Sequence, residues 1–291
     1  MPLTPVARIR RLNRAVTTET GALDHSFLGR GRPLGAARVL NAIGPMGRSI
    51  SDIRDFLGLD TGLLSRLLRG LEDEGLIHVS EDKHDKRRRF AVFTPKGHAE
   101  YEAYETLSND RAQALIDRHP NPEALLAAMD LVASALGRDR IEIVEIDPEH
   151  PIAFHCLHSY YSELAARFSM GFDPSEAAPL DASDMRPPRG IFLVATSDGL
   201  PSGCVGLKGT DKGYAEIKRL WVAPSARGLG LAKRLMSEAE SHARALGITT
   251  LRLDTNSALP EATNLYHRTG WTEIERFNDD PYPDLFFEKR V

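Results

Sequence analysis

The sequence predicts two folded domains, a mostly α-helical one followed by an α/β one, and three observations lead there. A chain of 291 residues, 42% hydrophobic and 27% charged, is longer than one typical core of about 100–200 residues and has the composition of a folded protein. Apolar residues recur at helical spacing up to Gly137, after which Ile141-Glu142-Ile143-Val144-Glu145-Ile146 alternates with a period of two, as in a strand with one buried face. Between Ala215 and Leu246 a strand, a glycine-bearing turn and a helix follow one another, the local unit of an α/β domain. The domain boundary is therefore expected near residues 137–140, giving domains 1–138 and 139–291.

Composition narrows the function classes. No stretch reaches the roughly 18 apolar residues of a membrane span, and the N-terminus lacks the apolar core of a secretory leader, so a cytoplasmic protein without a membrane partner is expected. Cys156 and Cys204 are far apart and have no His or Cys at metal-ligand spacing; buried thiols are expected, without disulfide or metal. The net charge is −4, but Lys and Arg number 20 against 18 Asp and Glu over residues 1–138, and 17 against 23 beyond. Neither half is extreme, so the placement of charge decides.

In the first half, Ser49 precedes a short helix with Ile50, Ile53, Phe56 and Leu57 as its stripe and Gly58 near its end. Asp60 or Thr61 caps a second helix, in which Leu63, Leu64, Leu67, Leu68 and Leu71 share one face. Its other face carries Thr61, Gly62, Ser65, Arg66 and Arg69, small residues and then two arginines one turn apart, suited to a major-groove edge or to phosphates. A solvated face of an ordinary helix pair has the same pattern. Gly75–Val79 and Arg89–Thr94 read as a hairpin, with Phe90 and Val92 on one side, and its tip, 81–89, includes Asp85, Arg87 and Arg88. A charged tip directly after such a helix is a wing that brings guanidinium groups to DNA. Residues 95–137 continue as helix, interrupted at Pro120 and Pro122.

These segments, with Leu71-Glu72-Asp73-Glu74-Gly75-Leu76-Ile77, Asp85-Lys86-Arg87 and Phe93-Thr94-Pro95-Lys96-Gly97, resemble the MarR family of bacterial regulators over roughly residues 5–138. The resemblance implies a winged helix-turn-helix, a homodimer with interlocked terminal helices, and an Asp85 that positions Arg87 for DNA. The partner it implies is double-stranded operator DNA, pseudo-palindromic, with half-sites about one helical turn apart. No motif marks an effector pocket.

In the second half, the strand Ala215–Val222 leads into Ala223-Pro224-Ser225-Ala226-Arg227-Gly228-Leu229-Gly230-Leu231-Ala232 and a helix with Leu231, Leu235, Met236, Ala239, Ala243 and Leu246 on its apolar side. Unpaired N–H groups, the helix dipole and glycines make such a turn an anion site. Lys233 stands where a dinucleotide fingerprint needs its third glycine, and no Gly-Lys-Ser/Thr follows.

The spacing Arg227-x-x-Gly230-x-Ala232, with Ile217–Val222 before it and Asn256, Ala262, Leu265, Tyr266 and Gly270-Trp271 after it, resembles the coenzyme A loop of the GNAT superfamily over about residues 141–291. The resemblance implies an α/β fold with a mixed, central twisted sheet and acetyl-CoA as donor. The backbone of Leu220, Trp221 and Val222 would pair with the pantetheine arm, and Arg227, Gly228, Leu229, Gly230, Leu231 and Ala232 would hold the pyrophosphate. The thioester would lie where the strands 215–222 and 249–254 part. Tyr266 would be the general acid, or a packed residue with a surface hydroxyl; Glu216 the base, or the partner of Lys218 in a structural ion pair. Asn256 would hold the cofactor arm or end a strand.

Tyr160, Tyr161, Phe168, Phe172 and Met185–Pro188 fall where acceptor-facing segments would lie, or cover the sheet, and Asp279, Asp280 and Asp284 face a cationic amine or only water. Three functions follow: a DNA-binding regulator that also acetylates a primary amine, a small molecule; a protein-lysine acetyltransferase delivered to DNA by its winged helix; or a regulator whose second half only senses acetyl-CoA or another ligand.

Overall fold

The computed structural model describes residues 4–81, 88–168, 171–173 and 182–291; Asp85 and Arg87 of the hairpin tip lie outside them. The chain divides into two compact units, 1–122 and 123–291.

The first unit is mostly helical. It comprises α1 (Pro5–Glu19), α2 (Leu34–Ile43), β1 (Arg48–Ser49), α3 (Ile50–Leu57), α4 (Thr61–Asp73), β2 (Ile77–Glu81), β3 (Arg89–Phe93) and α5 (Pro95–Asp117). The helix starts fall where short polar side chains can take up orphan amides. Ser49 Oγ accepts from Asp52 N at 3.1 Å, Asp60 Oδ1 from Leu63 N at 2.9 Å, and Thr94 Oγ1 from Gly97 N at 3.0 Å. A Cβ at Gly97 would stand 1.9 Å from the Leu76 carbonyl oxygen, so only glycine lets α5 start this close to the hairpin.

Val39, Leu40 and Ile43 of α2, Ile53 of α3, and Leu64, Leu68 and Leu71 of α4 form the core with Leu76, Ile77, Ala91 and Tyr104. The hairpin is antiparallel and β1 adds to β3, giving the order β1-β3-β2. Ala91 is fully buried and Phe93 packs on the core, whereas Val92 is exposed, so the side of the hairpin that carries Val92 is the outer one. No residue of α1 is buried, and Val6, Ile9, Leu12 and Val16 form an exposed apolar stripe along it.

The second unit begins in α6 (Pro122–Gly137), which the sequence reading had placed before the boundary at 138/139. It continues through β4 (Glu142–Glu145), α7 (Pro151–Arg167), β5 (Ile191–Ser197), β6 (Leu200–Gly209), β7 (Ala215–Val222), α8 (Leu231–Ala245), β8 (Thr250–Thr255), α9 (Pro260–Arg268), β9 (Thr272–Ile274) and β10 (Leu285–Arg290). Seven strands form one mixed sheet in the order β4-β5-β6-β7-β8-β10-β9.

Helices cover both faces, which explains the unbroken apolar run of β5. Ile191, Leu193 and Ala195 face a core shared with Leu231, Leu235, Met236 and Ala239 of α8. Phe192 and Val194 face the other side, with Ala153, Cys156 and Leu157 of α7, Cys204 and Trp221. Both cysteines are buried. Met185 is buried in this second core too, and Arg186 bonds Asp147 and Glu149, so these two residues help to cover the sheet. Among the described residues no helix is long and apolar enough to cross a membrane.

Candidate functional site

β7 is the axis of the site. On one side it pairs antiparallel with β6, where Cys204 stands opposite Trp221 and Gly206 opposite Lys218. Val205 of β6 alone thus faces Arg219 and Leu220 of β7, a bulge, and within it Arg219 takes a left-handed φ of 57°. A non-glycine residue held there costs about 1–2 kcal/mol and bends the strand. On its other side β7 pairs parallel with β8 only at Ala215↔Leu251 and Glu216↔Arg252. From Ile217 onward the two strands part, as the sequence predicts.

Past the end of β7, a turn at Pro224–Ala226 leads through Arg227 to Gly228, at φ 76°, and Gly230, at φ 82°. Both glycines occupy backbone space that other residues enter only with strain. A Cβ at either would meet nothing within 4 Å, so the surface above the turn is open. Gly230 caps α8 without any side-chain hydrogen bond, leaving the first-turn amides to an external acceptor. Leu231 is buried in the core, so only its backbone belongs to this surface. The Arg227 guanidinium turns back: Nε donates to Val222 O at 3.1 Å and Nη2 pairs with Glu163 Oε2.

Glu163, on α7, was not singled out in the sequence. Its carboxylate also accepts from Trp221 Nε1 at 3.1 Å and from Arg167 Nη1 at 3.1 Å. A single acid thus ties α7 to the end of β7 and to the glycine turn.

Where β7 and β8 part lies a cavity of about 70 Å³ lined by residues including Leu220, Asp254, Asn256 and Tyr266. α9 carries Tyr266 into it, held by Phe287 and Trp271 at ring distances of 5.5 and 6.1 Å. Burial pushes its phenol well above the ordinary value, and Tyr160 and Asp254 act in the same direction. Tyr160 lines the same cavity, its phenol pushed up to about 12 by burial.

Glu216 does not line the cavity. Its Oε2 lies 3.2 Å from Lys218 Nζ, which stands 2.7 Å from Asp254 Oδ2. Of the two alternatives for Glu216, the geometry matches the structural ion pair with Lys218. Asp254 does line the cavity, with Asp280, and its Oδ2 also accepts from Asn278 Nδ2 at 2.5 Å. Asn256 is committed as well: Nδ2 donates to Tyr282 O at 2.6 Å and Oδ1 accepts from Ala258 N at 2.9 Å. These bonds brace two loops at the cavity that Asn256 also lines. Phe168 and Phe172 line the cavity, and Tyr161 packs on the core under α7. Asp284 bonds Ser257 and Asp280 accepts from Tyr282 N, so both brace loops, while Asp279 is exposed.

In the first unit, Thr61, Gly62, Ser65, Arg66 and Arg69 all lie exposed on α4, opposite its buried leucines. Arg88 is exposed at the described edge of the hairpin, with Nη2 4.0 Å from Asp52 Oδ2.

Comparison with known proteins separates the two units in the same way. The profile of the acetyltransferase (GNAT) family matches residues 157–271, and that of the MarR family residues 30–88. An "IAA acetyltransferase" of Azospirillum brasilense is 37% identical over 115 residues, 38% of this chain and 74% of the relative. An uncharacterized N-acetyltransferase of Schizosaccharomyces pombe is 36% identical over 103 residues, 35% of this chain and 63% of that one. A crystal structure of a GNAT-family acetyltransferase from Staphylococcus aureus is similar with a TM-score of 0.47 and 19% identity, covering 52% of this chain and 98% of its own. With a relative at this identity matched over most of its length, and a glycine turn opening α8 beside a split sheet, the chain belongs to the GNAT family of N-acetyltransferases, and ahead of that domain residues 30–88 match the MarR-family model.

Proposed function

We propose that the protein is a DNA-binding regulator that also transfers an acetyl group from acetyl-CoA to a primary amine. One observation carries the enzymatic half: the open glycine turn at the start of α8 adjoins the split between β7 and β8, and Tyr266 lies within that split. Acetyl-CoA fits these residues, because uncapped helix amides and a surface free of side chains are what a pyrophosphate needs. Residues Arg227 to Ala232 would hold it, and the edge of Leu220 to Val222 that β8 does not pair would take the amide-bearing arm as an added strand.

Bound there, acetyl-CoA supplies the acetyl group as a thioester. Asp254 takes the proton that leaves the amine as the C–N bond forms; it replaces Glu216 in this role because it faces the cavity and both of its bonds fall on Oδ2. Tyr266 donates its phenolic proton to the sulfur as the C–S bond breaks. The raised pKa of the buried phenol keeps that proton available at neutral pH.

The DNA-binding half rests on the exposed polar face of α4 beside the hairpin. Thr61, Gly62, Ser65, Arg66 and Arg69 read the major groove, while Arg88, with Asp85 and Arg87 of the tip, reaches the backbone or minor groove. The bare stripe of Val6, Ile9, Leu12 and Val16 supports a homodimer. The test is acetyl-CoA turnover against an amine panel and a lysine peptide pool, with and without operator DNA. Turnover of at least one amine is expected; tight acetyl-CoA binding with no turnover would leave a sensor instead.

A further inference from the structure

The cavity at Tyr266 opens into a wider cleft of about 860 Å³, within the range of small-molecule sites. Phe168, Phe172 and Tyr282 line both spaces, so the passage between them has an aromatic wall. The rings support one another. Phe172 lies 4.7 Å from Tyr282 and 5.9 Å from Phe168, and Tyr161 stacks on Phe172 at 5.8 Å with 21° between planes. Hydrogen bonds fix their spacing: Asp173 N donates to the Tyr282 hydroxyl at 2.9 Å, and Asn256 holds the Tyr282 carbonyl.

Charge does not choose between amines. Among the described residues the narrow cavity sets Lys218 and Arg219 against Asp254 and Asp280. Lys218 bonds Asp254, and the Arg219 guanidinium lies 5.4 Å over the Tyr161 ring. The cleft sets Asp173 and Asp284 against Arg167, which is itself paired with Glu163 and Glu261, and Asp284 bonds Ser257. These carboxylates favour any cationic amine alike, whereas a flat apolar ring would find three aromatic partners, each pair favoured beyond simple area burial.

We propose that the acceptor is a primary arylalkylamine, its ring held among Phe168, Phe172 and Tyr282 in the cleft and its amine reaching the narrow cavity of Asp254 and Tyr266. This rests on the acetyltransferase reading above and names its acceptor class.

The test compares kcat/KM of the full chain with acetyl-CoA for 2-phenylethylamine and tyramine against n-hexylamine, 1,5-diaminopentane and a lysine peptide. A preference of about tenfold or more for the aryl amines is expected. In Phe172→Ala the aryl-to-hexyl ratio should fall to within about threefold. Phe172→Leu, which keeps apolar volume without a ring, should lower the ratio as well, with circular dichroism confirming that each variant is folded. Equal or better use of n-hexylamine, the diamine or the peptide overturns the proposal, as does an aryl preference that survives both substitutions. Turnover that shows no aryl preference overturns the acceptor class alone, while failure of every amine despite normal acetyl-CoA binding overturns the acetyltransferase reading with it.

Discussion

In the proposed function α4 and the glycine turn before α8 both meet a phosphate-bearing partner, and they are built for it in opposite ways. On α4 the backbone is satisfied and the side chains are presented: Leu64, Leu68 and Leu71 lock the helix down while Arg66 and Arg69 stand clear of it. At the turn the side chains withdraw and the backbone is presented. Leu231 is buried, Arg227 folds back onto Val222 and Glu163, and nothing lies above Gly228 or Gly230. Side-chain recognition can be altered one residue at a time and suits a partner that varies in sequence. Backbone recognition is indifferent to most substitutions and sensitive to glycine, which suits a group that is always the same.

Substitutions can break or sharpen that contrast. The largest effect is expected away from both surfaces, at the proposed acid: Tyr266→Phe should lower kcat by about 10²–10⁴-fold in steady-state turnover, and full activity in this variant would remove the acid role. Arg66→Ala should weaken operator binding about 10–100-fold by fluorescence anisotropy, with discrimination between operators relaxed at one position; unchanged affinity would mean that α4 does not read DNA. Gly230→Ala should weaken acetyl-CoA binding about tenfold by calorimetry, since a left-handed alanine costs about 1–2 kcal/mol. If it binds normally, the turn does not present its backbone. Asp60→Ala should destabilise the first unit by about 1 kcal/mol in denaturant titration through loss of the bond to Leu63 N. The smallest change is expected with pH. Because burial raises the Tyr266 phenol, its proton stays on beyond the ordinary tyrosine value of about 10, so kcat should stay flat from neutrality toward that value. An alkaline decline centred below about pH 9 would contradict the assignment.

Features set by a few neighbouring residues were legible in the sequence. The caps at Ser49 and Asp60, the leucine face of α4 and the strand, turn and helix at 215–246 each follow from local spacing. Others depend on which segments meet. Asp254 looks like the end of a strand until Lys218 and Asn278 converge on it, and the sequence leaves Glu216 open between a base and a partner of Lys218, which only the 3.2 Å contact distinguishes. Glu163 lies in a helix whose sequence gives no sign that Trp221, Arg227 and Arg167 all reach it.

The two-rung contact between β7 and β8 has a consequence for the integrity of the sheet itself. Strand edges are normally found only at a sheet's margins, where charges or bulges discourage the addition of stray strands. Here a length of unpaired edge sits in the middle, so the protein carries inside its sheet the same adhesive surface that others guard at the rim. Its defences are of the same kind: the bulge at Arg219 twists the edge away, and the Lys218–Asp254 ion pair stands at its root. An aggregation hazard is thereby kept as a slot, wide enough for a thread and closed to a sheet.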